Sequence, residues 1–400
     1  MLNNFRDKKV VWETKQRALA HIEKVAWIKP IEGADNIELI GILGWVCIAK
    51  KGEFKENDTC VYFEIDSKLP EKEWSEFMRS KHFKVKTMKL GKFKVISQGL
   101  ALPIDIIPEL KNKQLNIGDD VTELLGVKYS VEEDNHRKSK DGDPDAKYKS
   151  MAARHKKLFK TKPFRWLMKR NWGRKFLFIF FGKKKDKPKS FPDWIVKTDE
   201  TRCESIPWIL GDTKQYIITS KIDGTSSTYA IDFTKKKKGE FIVCSRNVRQ
   251  ADEKQECFHD LNVYWEMAFK YNIETTLRKI SEVKNAKRVV LQGETYGESL
   301  QGNLYKINGR RFAAFNLIID GKRLGSLEAK DILSNYDIPF VPILRIQDGI
   351  PKTMEELKLE ADGKSEINPN VMREGLVYRS LDGQISFKNV SRLYLLKKGE

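Results

Sequence analysis

The sequence predicts an α+β fold of antiparallel sheets with helices over residues 191–400, preceded by a small β-barrel over residues 1–130. In the first region, short apolar runs recur with glycine turns between them, which is typical of a small barrel. These runs are Ala20–Ile28, Ile37–Ala49, Thr59–Ile65 and Leu100–Pro103. In the second region, strand-like runs dominate and only a few helical segments separate them, which favours an α+β domain over a βαβ array.

A basic stretch precedes the last barrel run. It contributes Lys84, Lys86, Lys89 and Lys92. Small barrels of this type commonly bind oligonucleotides, so these lysines are candidates for substrate contact. A solvated loop explains them equally well.

Residues 131–190 carry most of the excess charge of the chain. Residues 131–146 are polar, contain glycine and proline, and predict a linker. Residues 147–190 hold 17 Lys/Arg and one acidic residue, Asp186, and so contribute +16 of the net charge of +19. Aromatic residues are interleaved with this charge, notably Phe164, Trp166, Trp172 and the run 176–181. Three explanations stay open: contact with a nucleic-acid strand, ordinary packing with a solvated basic rim, or an anionic membrane surface.

Two helix starts can be identified in the second region. Ser326 is expected to open one helix. Thr353 and Glu356 have the spacing of a capping box, which predicts a second helix start.

The pentapeptide Lys221-Ile222-Asp223-Gly224-Thr225 lies between two β-prone runs, 216–219 and 228–231. A lysine at the end of one strand, followed by a turn and another strand, is typical of covalent nucleotidyltransferases. In that chemistry an unprotonated lysine amine attacks the α-phosphate of a nucleotide and retains the nucleoside monophosphate. Short motifs of this kind also arise by chance, so the remainder of the chain decides its meaning.

Charged and aromatic residues recur on the strand-like runs that follow the lysine. In chain order they are Arg246 after 243–245, Glu294 in 289–297, Phe312 and Phe315 in 311–317, Glu374 at the start of 374–379, and Lys388 in 385–389. Any one of them has a structural explanation, because strands often end in glycine plus a charge. Their joint presence in this order indicates a nucleotidyltransferase site.

The set resembles the lysyl-AMP nucleotidyltransferase superfamily of ATP-dependent ligases and capping enzymes. Within it, the segments 293–297, 301–303 and 244–247 are similar to RNA ligases rather than DNA ligases. Segments 44–47 and 61–64 resemble the N-terminal OB domain of the Deinococcus–Naegleria branch of RNA ligases. The resemblance implies an OB-like domain (1–130), a polar linker with a basic-aromatic insert (131–190), and an ATP-grasp-like RNA ligase domain with adenylyltransferase activity (191–400).

The resemblance also implies roles for individual residues. Lys221 is the expected nucleophile. Glu294 is expected to hold a ribose hydroxyl and to assist Glu374, the first choice for a metal ligand. Phe315 is expected to stack on adenine, with Phe312 as the second choice.

Three further residues complete the expected site. Lys388 matches a phosphate-binding position, and Arg246 is expected to contact the ribose or the incoming 5′-phosphate. Asp223 either orients groups near the lysine or a metal, or is a turn aspartate that binds its own backbone.

The nucleophile must be a neutral amine, whereas the ordinary pKa of lysine is about 10.4. Partial burial and nearby cations favour the neutral form. We expect Lys388 and a bound Mg²⁺ or Mn²⁺ to supply that positive field. Because Mg²⁺ usually keeps several waters, one or two carboxylates suffice to hold it.

Two positions depart from the family pattern. Relatives often carry glutamate directly before the nucleophile, where this chain has Ser220, which puts the adenine contact in doubt. Relatives often carry a Lys-x-Lys sequence late in the domain, where this chain has Ser386 before Lys388, which puts the handling of the triphosphate in doubt.

The leading hypothesis is an ATP-dependent RNA ligase that joins 3′-OH and 5′-phosphate ends in RNA or an RNA-containing duplex, for repair of nicks or breaks. A GTP-dependent mRNA-capping guanylyltransferase is the first alternative, although capping enzymes usually carry the OB domain after the transferase. A non-catalytic RNA-binding protein with a degenerate transferase fold is the second.

Composition sets the expected surroundings of the protein. Five cysteines without CxxC spacing indicate reduced thiols and a cytoplasmic protein. No apolar run reaches the length that spans a bilayer, so we expect no obligate membrane association. We also expect a monomer.

Overall fold

The computed structural model describes residues 18–93, 95–130, 148, 156–159, 161–181, 189–250 and 262–398. The chain forms two compact units, residues 1–129 with 189–400 and residues 130–188. The predicted linker at 131–146 lies outside the described residues, and the division into three domains stays a prediction.

The N-terminal part of the first unit consists mainly of strands. They are β1 (Ala20–Pro30), β2 (Ile37–Ile42), β3 (Trp45–Lys50), β4 (Thr59–Phe63), β5 (Ser67–Lys68), β6 (Met88–Leu90), β7 (Val95–Ser97), β8 (Leu100–Pro103) and β9 (Lys128–Tyr129), with the short helix α1 (Thr122–Leu125) and 3₁₀ turns at Glu73–Lys81, Ile104–Ile106 and Pro108–Leu110. Five strands form one antiparallel sheet in the order β3-β2-β1-β4-β8.

Strand β1 gives this sheet its curvature. Its first half pairs with β4 and its second half with β2, and the register shifts between Val25 and Trp27. Such an irregularity bends a strand and increases its twist. On the far side, the Gln98 N–H donates to the Val46 carbonyl at 2.8 Å, which ties β3 to the segment before β8. The run predicted as 37–49 is a hairpin, because the chain turns at Leu43 and Gly44.

The second unit contains three described helices, α2 (Lys156–Phe159), α3 (Lys162–Met168) and α4 (Asn171–Phe181). Tyr148, Phe159 and Leu177 are buried together, and further aromatic and aliphatic side chains pack around them. The packing explanation of the aromatic run is therefore correct for part of it.

The C-terminal part of the first unit is mixed. Its strands are β10 (Lys189–Ser190), β11 (Thr201–Arg202), β12 (Gln215–Lys221), β13 (Thr225–Asp232), β14 (Glu240–Ser245), β15 (Val248–Arg249), β16 (Arg288–Gly297), β17 (Arg310–Ile319), β18 (Lys322–Arg323), β19 (Ile343–Asp348), β20 (Gly375–Ser380) and β21 (Ser386–Val390). Its helices are α5 (Val263–Lys270), α6 (Ile273–Lys284), α7 (Ser326–Ser334), α8 (Met354–Ala361) and α9 (Arg392–Lys398), with 3₁₀ turns at Cys203–Ser205 and Pro207–Ile209.

Two sheets organise this part. One has seven strands in the order β10-β15-β14-β13-β16-β17-β18, and the other has five in the order β11-β21-β20-β12-β19. Their pairings are antiparallel apart from β11 with β21. This arrangement confirms the predicted α+β class.

The five-stranded sheet has one apolar and one polar face because side chains alternate along each strand. On the apolar face, Ile218, Tyr378 and Phe387 are fully buried in a core beneath α8. The opposite face carries Lys221 and Lys388, in rows set by the pairings with β20. The strand pattern thus separates the core from the candidate site.

Both predicted helix starts are present. Helix α7 begins at Ser326. Thr353 caps α8, and its side chain exchanges hydrogen bonds with Glu356 as a capping box requires. Among the described helices, none is long and apolar enough to cross a membrane.

Candidate active site

Lys221 lies where the two large sheets of the first unit meet. It is the last residue of β12, and the turn 222–224 leads directly to β13 in the other sheet. The Asp223 N–H donates to the buried Tyr305 hydroxyl at 2.7 Å and fixes the turn. At Gly224 a Cβ atom would come within 2.3 Å of the Thr295 carbonyl oxygen, so the close approach of the turn to β16 requires glycine here.

Glu374 is the immediate partner of the lysine. Lys221 pairs in register with Gly375 on β20, which places the preceding Glu374 beside the amine. The Lys221 Nζ donates to the Glu374 Oε1 at 2.6 Å. Both side chains are largely buried, with 26% and 13% of their surface exposed. Residues 153 positions apart in sequence therefore form one reactive pair.

The electrostatic surroundings of Lys221 differ from those expected. Burial alone lowers the pKa of its amine, but the Glu374, Glu294 and Asp223 carboxylates outweigh burial and raise the pKa above the ordinary value. The expectation that Lys388 and a bound Mg²⁺ or Mn²⁺ together keep the amine neutral stays a prediction, but the protein groups nearest to the amine act in the opposite direction. The physical reason is that the nearest charges are carboxylates rather than cations.

Glu294 lies on β16 opposite Ser226 and is half-buried. Burial raises the pKa of its carboxyl to about 8; Lys221 opposes this effect, and Glu374 and Asp223 add to it. Three carboxylates thus act on one another around a single lysine amine.

This excess of negative charge fits a divalent cation. Mg²⁺ and Mn²⁺ prefer carboxylate oxygens, and Mg²⁺ needs only one or two protein carboxylates. Glu374 and Glu294 have that chemistry, as predicted. In the described ranges, no group of three or more His, Cys, Asp or Glu side chains is arranged to hold a metal ion.

Phe315 and Phe312 have different surroundings. The register of β16 with β17 shifts between Gln292 and Gly293, which leaves Phe315 as the extra residue of a β-bulge. Its ring is partly buried and packs in a cluster with Ile222, next to the nucleophile. Phe312 is fully buried in the central core against Tyr229. Phe312 is therefore wrong as a second choice for stacking, whereas Phe315 lies on the opposite face of β17, in the same cluster as Ala313.

Alanine at these two positions is expected to separate binding from stability. Phe315→Ala should raise the ATP concentration needed for half-maximal adenylylation by roughly tenfold or more, since it removes a stacking ring. Phe312→Ala should lower the free energy of unfolding by about 3–5 kcal/mol, since it opens a core cavity. Nucleotide titrations and urea unfolding of both variants check this, and a larger loss of stability in Phe315→Ala than in Phe312→Ala would contradict it.

Lys388 and Arg246 share one carboxylate, that of Asp199. The Lys388 Nζ donates to Asp199 Oδ1 at 2.9 Å, and an Arg246 Nη2 lies 3.4 Å from Oδ2. Lys388 is two strands away from Lys221 on the same face of the sheet. The two predicted cations are thus brought together, by an aspartate to which the sequence pattern gave no role.

Arg202 is a second residue that the sequence pattern did not identify. It pairs with Lys388 through the parallel contact of β11 and β21, and only 8% of it is exposed. One nitrogen lies 3.4 Å from Asp66 of the N-terminal sheet. Its Nε and Nη1 are buried without a hydrogen-bond partner among the described residues. A buried guanidinium in this state is suited to an anionic ligand.

Arg379 lies directly across from Ser386, one of the two positions that depart from the family pattern. The two residues are direct cross-strand partners, and both are buried. Arg379 donates to the Phe315 carbonyl at 2.6 Å and to Glu200 at 3.1 Å. The positive charge of Arg379 therefore lies next to the position at which this chain has Ser386 and relatives often have lysine. Ser220, the other departure, belongs to the apolar face of β12, opposite to Lys221.

Comparison with known proteins identifies both halves of the first unit. A family model described as an OB-fold domain matches residues 19–104, and one described as RNA ligase matches residues 214–397. A ligand-free structure of a point mutant of the Naegleria gruberi RNA ligase is 31% identical, covers 95% of this chain and 98% of its own, and has a TM-score of 0.72. The chain belongs to the RNA ligase family.

Two further solved structures that are similar to this chain contain ligands. The Naegleria gruberi RNA ligase with PPi is 31% identical over 96% of this chain and 99% of its own, with a TM-score of 0.72. A point mutant of that protein with ATP and Mn is 30% identical over 95% and 98%, with a TM-score of 0.70. None of the curated proteins matches the ligase.

These matches confirm the family and the fold predicted for the ligase, including the N-terminal OB domain. The individual roles of Lys221, Glu294, Phe315, Glu374 and Lys388 stay predictions. The structure places Lys221 in hydrogen-bond contact with Glu374 and within the electrostatic influence of Glu294 and Asp223. We call Lys388, Arg246 and Arg202 the cationic group, because Asp199 contacts the first two and Arg202 pairs in backbone register with Lys388.

Proposed function

We propose that the ligase joins RNA 3′-OH and 5′-phosphate ends in three steps with ATP as the energy source. The pair of Lys221 and Glu374 at 2.6 Å carries this proposal, because it provides a nucleophile and a proton acceptor at hydrogen-bond distance. Structures of a similar ligase with ATP and with PPi support the choice of nucleotide and leaving group.

In the first step, the Lys221 ammonium loses one proton to the Glu374 Oε1, and the resulting neutral amine attacks the α-phosphorus of ATP. The nitrogen gives up a second proton to water as the phosphoramide forms. A bond forms between Nζ and phosphorus, and the bond to the oxygen that bridges to the β-phosphate breaks. Pyrophosphate leaves with that electron pair. In the second step AMP passes to an RNA 5′-phosphate, and in the third a 3′-hydroxyl displaces AMP.

A divalent cation at Glu374 and Glu294 would neutralise charge on the carboxylates and on the phosphates. Glu294 is also placed to accept a hydrogen bond from a ribose hydroxyl. Phe315, at its bulge beside Ile222, would offer the adenine a ring to stack on.

Lys388, Arg202 and Arg246 would bind the remaining phosphates. Lys388 and Arg246 already hold one carboxylate, and Arg202 has two buried nitrogens available for hydrogen bonds. The cationic group would then serve the triphosphate first and the RNA 5′-phosphate afterwards.

The proposed biological role is the repair of nicks or breaks in a reducing compartment. Nick or break repair on a duplex fits an OB domain joined to the transferase in one compact unit. Cys47, Cys60, Cys203 and Cys244 are free, buried thiols, which supports a reducing compartment such as the cytoplasm. A monomer suffices for the proposed chemistry, since each named group comes from one chain.

The mass of the intact protein after incubation with Mg²⁺ and either ATP or GTP, without RNA, tests the proposal. We expect a gain of one AMP with ATP and none with GTP. Lys221→Ala should show no gain, since it removes the nucleophile. Lys287→Ala, on a lysine between α6 and β16, is the matched control and should label like the wild type.

Each other outcome has a definite meaning. A gain of GMP would support an mRNA-capping guanylyltransferase. No gain with either nucleotide, in a folded protein that still binds RNA, would support a non-catalytic RNA-binding protein. An adduct that persists in Lys221→Ala would place the nucleophile elsewhere.

A further inference from the structure

Helix α4 in the second unit presents an apolar face to solvent. Trp172, Phe176, Ile179 and Phe180 follow one another at helical spacing and are exposed, Ile179 by 76% and Phe180 by 67%. Trp166 of α3 lies beside Trp172, with ring centroids 6.0 Å apart. We call these five side chains the apolar ridge.

The apolar ridge is additional to the core of its own unit. The opposite side of α4 supplies Leu177 to the cluster with Tyr148 and Phe159. Gly173 faces α3 so closely that a Cβ atom would come within 2.3 Å of the Leu167 carbonyl oxygen. The side of α4 that carries Gly173 and Leu177 is thus already packed within the unit. The apolar ridge, on the other side, is available to a partner. Contiguous exposed apolar patches of this kind mark interaction surfaces.

The charge around the ridge specifies an anionic partner. The described residues of this unit contain eight Lys/Arg and no Asp or Glu. Lys162, Arg165, Lys169, Arg170 and Lys175 are exposed. A partner that satisfies both features must be negatively charged at its surface and apolar beneath it.

The geometry of the ridge favours lipid over RNA. Bases stack on open ring faces, but here the rings pack against each other: Phe176 against Phe180 at 5.0 Å, and Trp166 beneath the Arg170 guanidinium at 4.3 Å. The most exposed member of the ridge is Ile179, which has no ring to stack. An interfacial helix with Trp, Phe and Ile on one side and Lys/Arg around it has the composition that binds membrane surfaces.

We propose that the apolar ridge binds the surface of an anionic phospholipid bilayer. Helix α4, with 11 residues, is about 16 Å long and lies in the plane of the interface, since a span needs about 20 residues. The ridge inserts among the acyl chains near the headgroups, and the surrounding lysines and arginines contact headgroup phosphates. Binding of this kind would place the ligase at a membrane surface. The membrane proposal does not depend on the proposed reaction.

Flotation with lipid vesicles tests this proposal on the full chain. Wild-type protein should float with phosphatidylcholine vesicles that contain about 30 mol% phosphatidylserine and should not float with phosphatidylcholine alone. High salt should weaken binding, because part of the attraction is electrostatic. Ile179→Glu with Phe180→Glu should weaken binding by roughly tenfold or more, since two apolar side chains no longer insert.

A matched control is available outside the unit. Val283 on α6 is 74% exposed and Leu359 on α8 is 61% exposed, close to the values for Ile179 and Phe180, so Val283→Glu with Leu359→Glu adds the same charge at similarly exposed sites and should float like the wild type. Thermal unfolding should be unchanged in all variants, since each replaced side chain is exposed. This comparison separates loss of the ridge from a general effect of added negative charge.

Three results would overturn the proposal. Wild-type protein that stays unbound to anionic vesicles would do so directly. Ridge variants that float normally but bind single-stranded RNA less tightly would show a nucleic-acid surface instead. A dimer that the ridge variants convert to a monomer, without any flotation, would show that a second copy of the chain covers the ridge.

Discussion

Glu374→Gln is expected to lower the pKa of Lys221 and to slow adenylylation at the same time. The Glu374 carboxylate is the nearest negative charge, at 2.6 Å from the amine, and it contributes to the raised pKa. A raised pKa keeps the amine protonated up to higher pH, so removal of the carboxylate should move the titration midpoint to lower pH. The adenylylation rate should nevertheless fall roughly 100-fold, because the proton acceptor and a metal ligand are lost.

The pH dependence of Lys221 acylation, followed by mass spectrometry without metal or nucleotide, measures this pKa. Glu328→Gln, on an exposed carboxylate of α7, is the matched control and should leave the midpoint where the wild type has it. An unchanged midpoint in Glu374→Gln would show that the carboxylate does not set the pKa of the amine. A faster adenylylation in that variant would remove Glu374 from the proposed reaction.

Lys358→Met is expected to destabilise the ligase by about 3–5 kcal/mol, since it leaves the Glu204 charge buried without its main partner. The Lys358 Nζ donates to Glu204 at 2.6 Å, and the two side chains are 2% and 1% exposed. The same amine donates to the Val390 carbonyl, and the Gly44 N–H donates to the Glu204 carbonyl. The pair thus connects α8, the end of β21 and the N-terminal sheet.

Urea unfolding of matched variants measures the loss of stability expected in Lys358→Met. Glu204→Leu combined with Lys358→Met should recover much of the loss, because no unpaired charge remains buried. Glu355→Gln, which breaks the exposed pair with Arg392, should change stability by less than about 1 kcal/mol. A Lys358→Met variant as stable as Glu355→Gln would contradict the prediction.

The pair of Lys358 and Glu204 should also make the free energy of unfolding depend on pH. Burial alone would raise the pKa of Glu204, but Lys358 and Arg202 outweigh it and lower the pKa below its ordinary value of 4.5. Because the pKa of Glu204 is lower in the folded than in the unfolded protein, the ionised pair stabilises the fold fully at pH values above the unfolded-state pKa. This stabilisation is lost as the pH falls through the folded-state pKa. Wild-type stability should therefore decline on acidification more than that of the double variant.

Local patterns were sufficient to predict the elements that carry the reaction. Lys221 ends a strand before a glycine turn, Glu294 and Lys388 lie on later strands, and Glu374 directly precedes one, so their residue types and order indicated the candidate site. Which face each side chain occupies also followed from the two-residue period of a strand. The N-terminal barrel followed from regularly spaced apolar runs.

Long-range pairing explains what the sequence did not predict. Arg202 reaches the site through a parallel contact with a strand that begins 184 residues later, and no local pattern encodes that register. The bulge at Phe315 exists only once β16 and β17 have paired. The protonation of Lys221 depends on carboxylates contributed by separate strands, so its pKa could not be inferred from burial and Lys388 alone.

The position of Asp199 makes it a competitor for any anion that enters the site. This one carboxylate contacts Lys388 on the five-stranded sheet and Arg246 at the end of β14 in the other sheet. A single phosphate group presents oxygens at a spacing similar to that of a carboxylate, so it can replace Asp199 on both cations at once. We therefore expect Asp199 to occupy the place of a phosphate until an anion of higher charge displaces it.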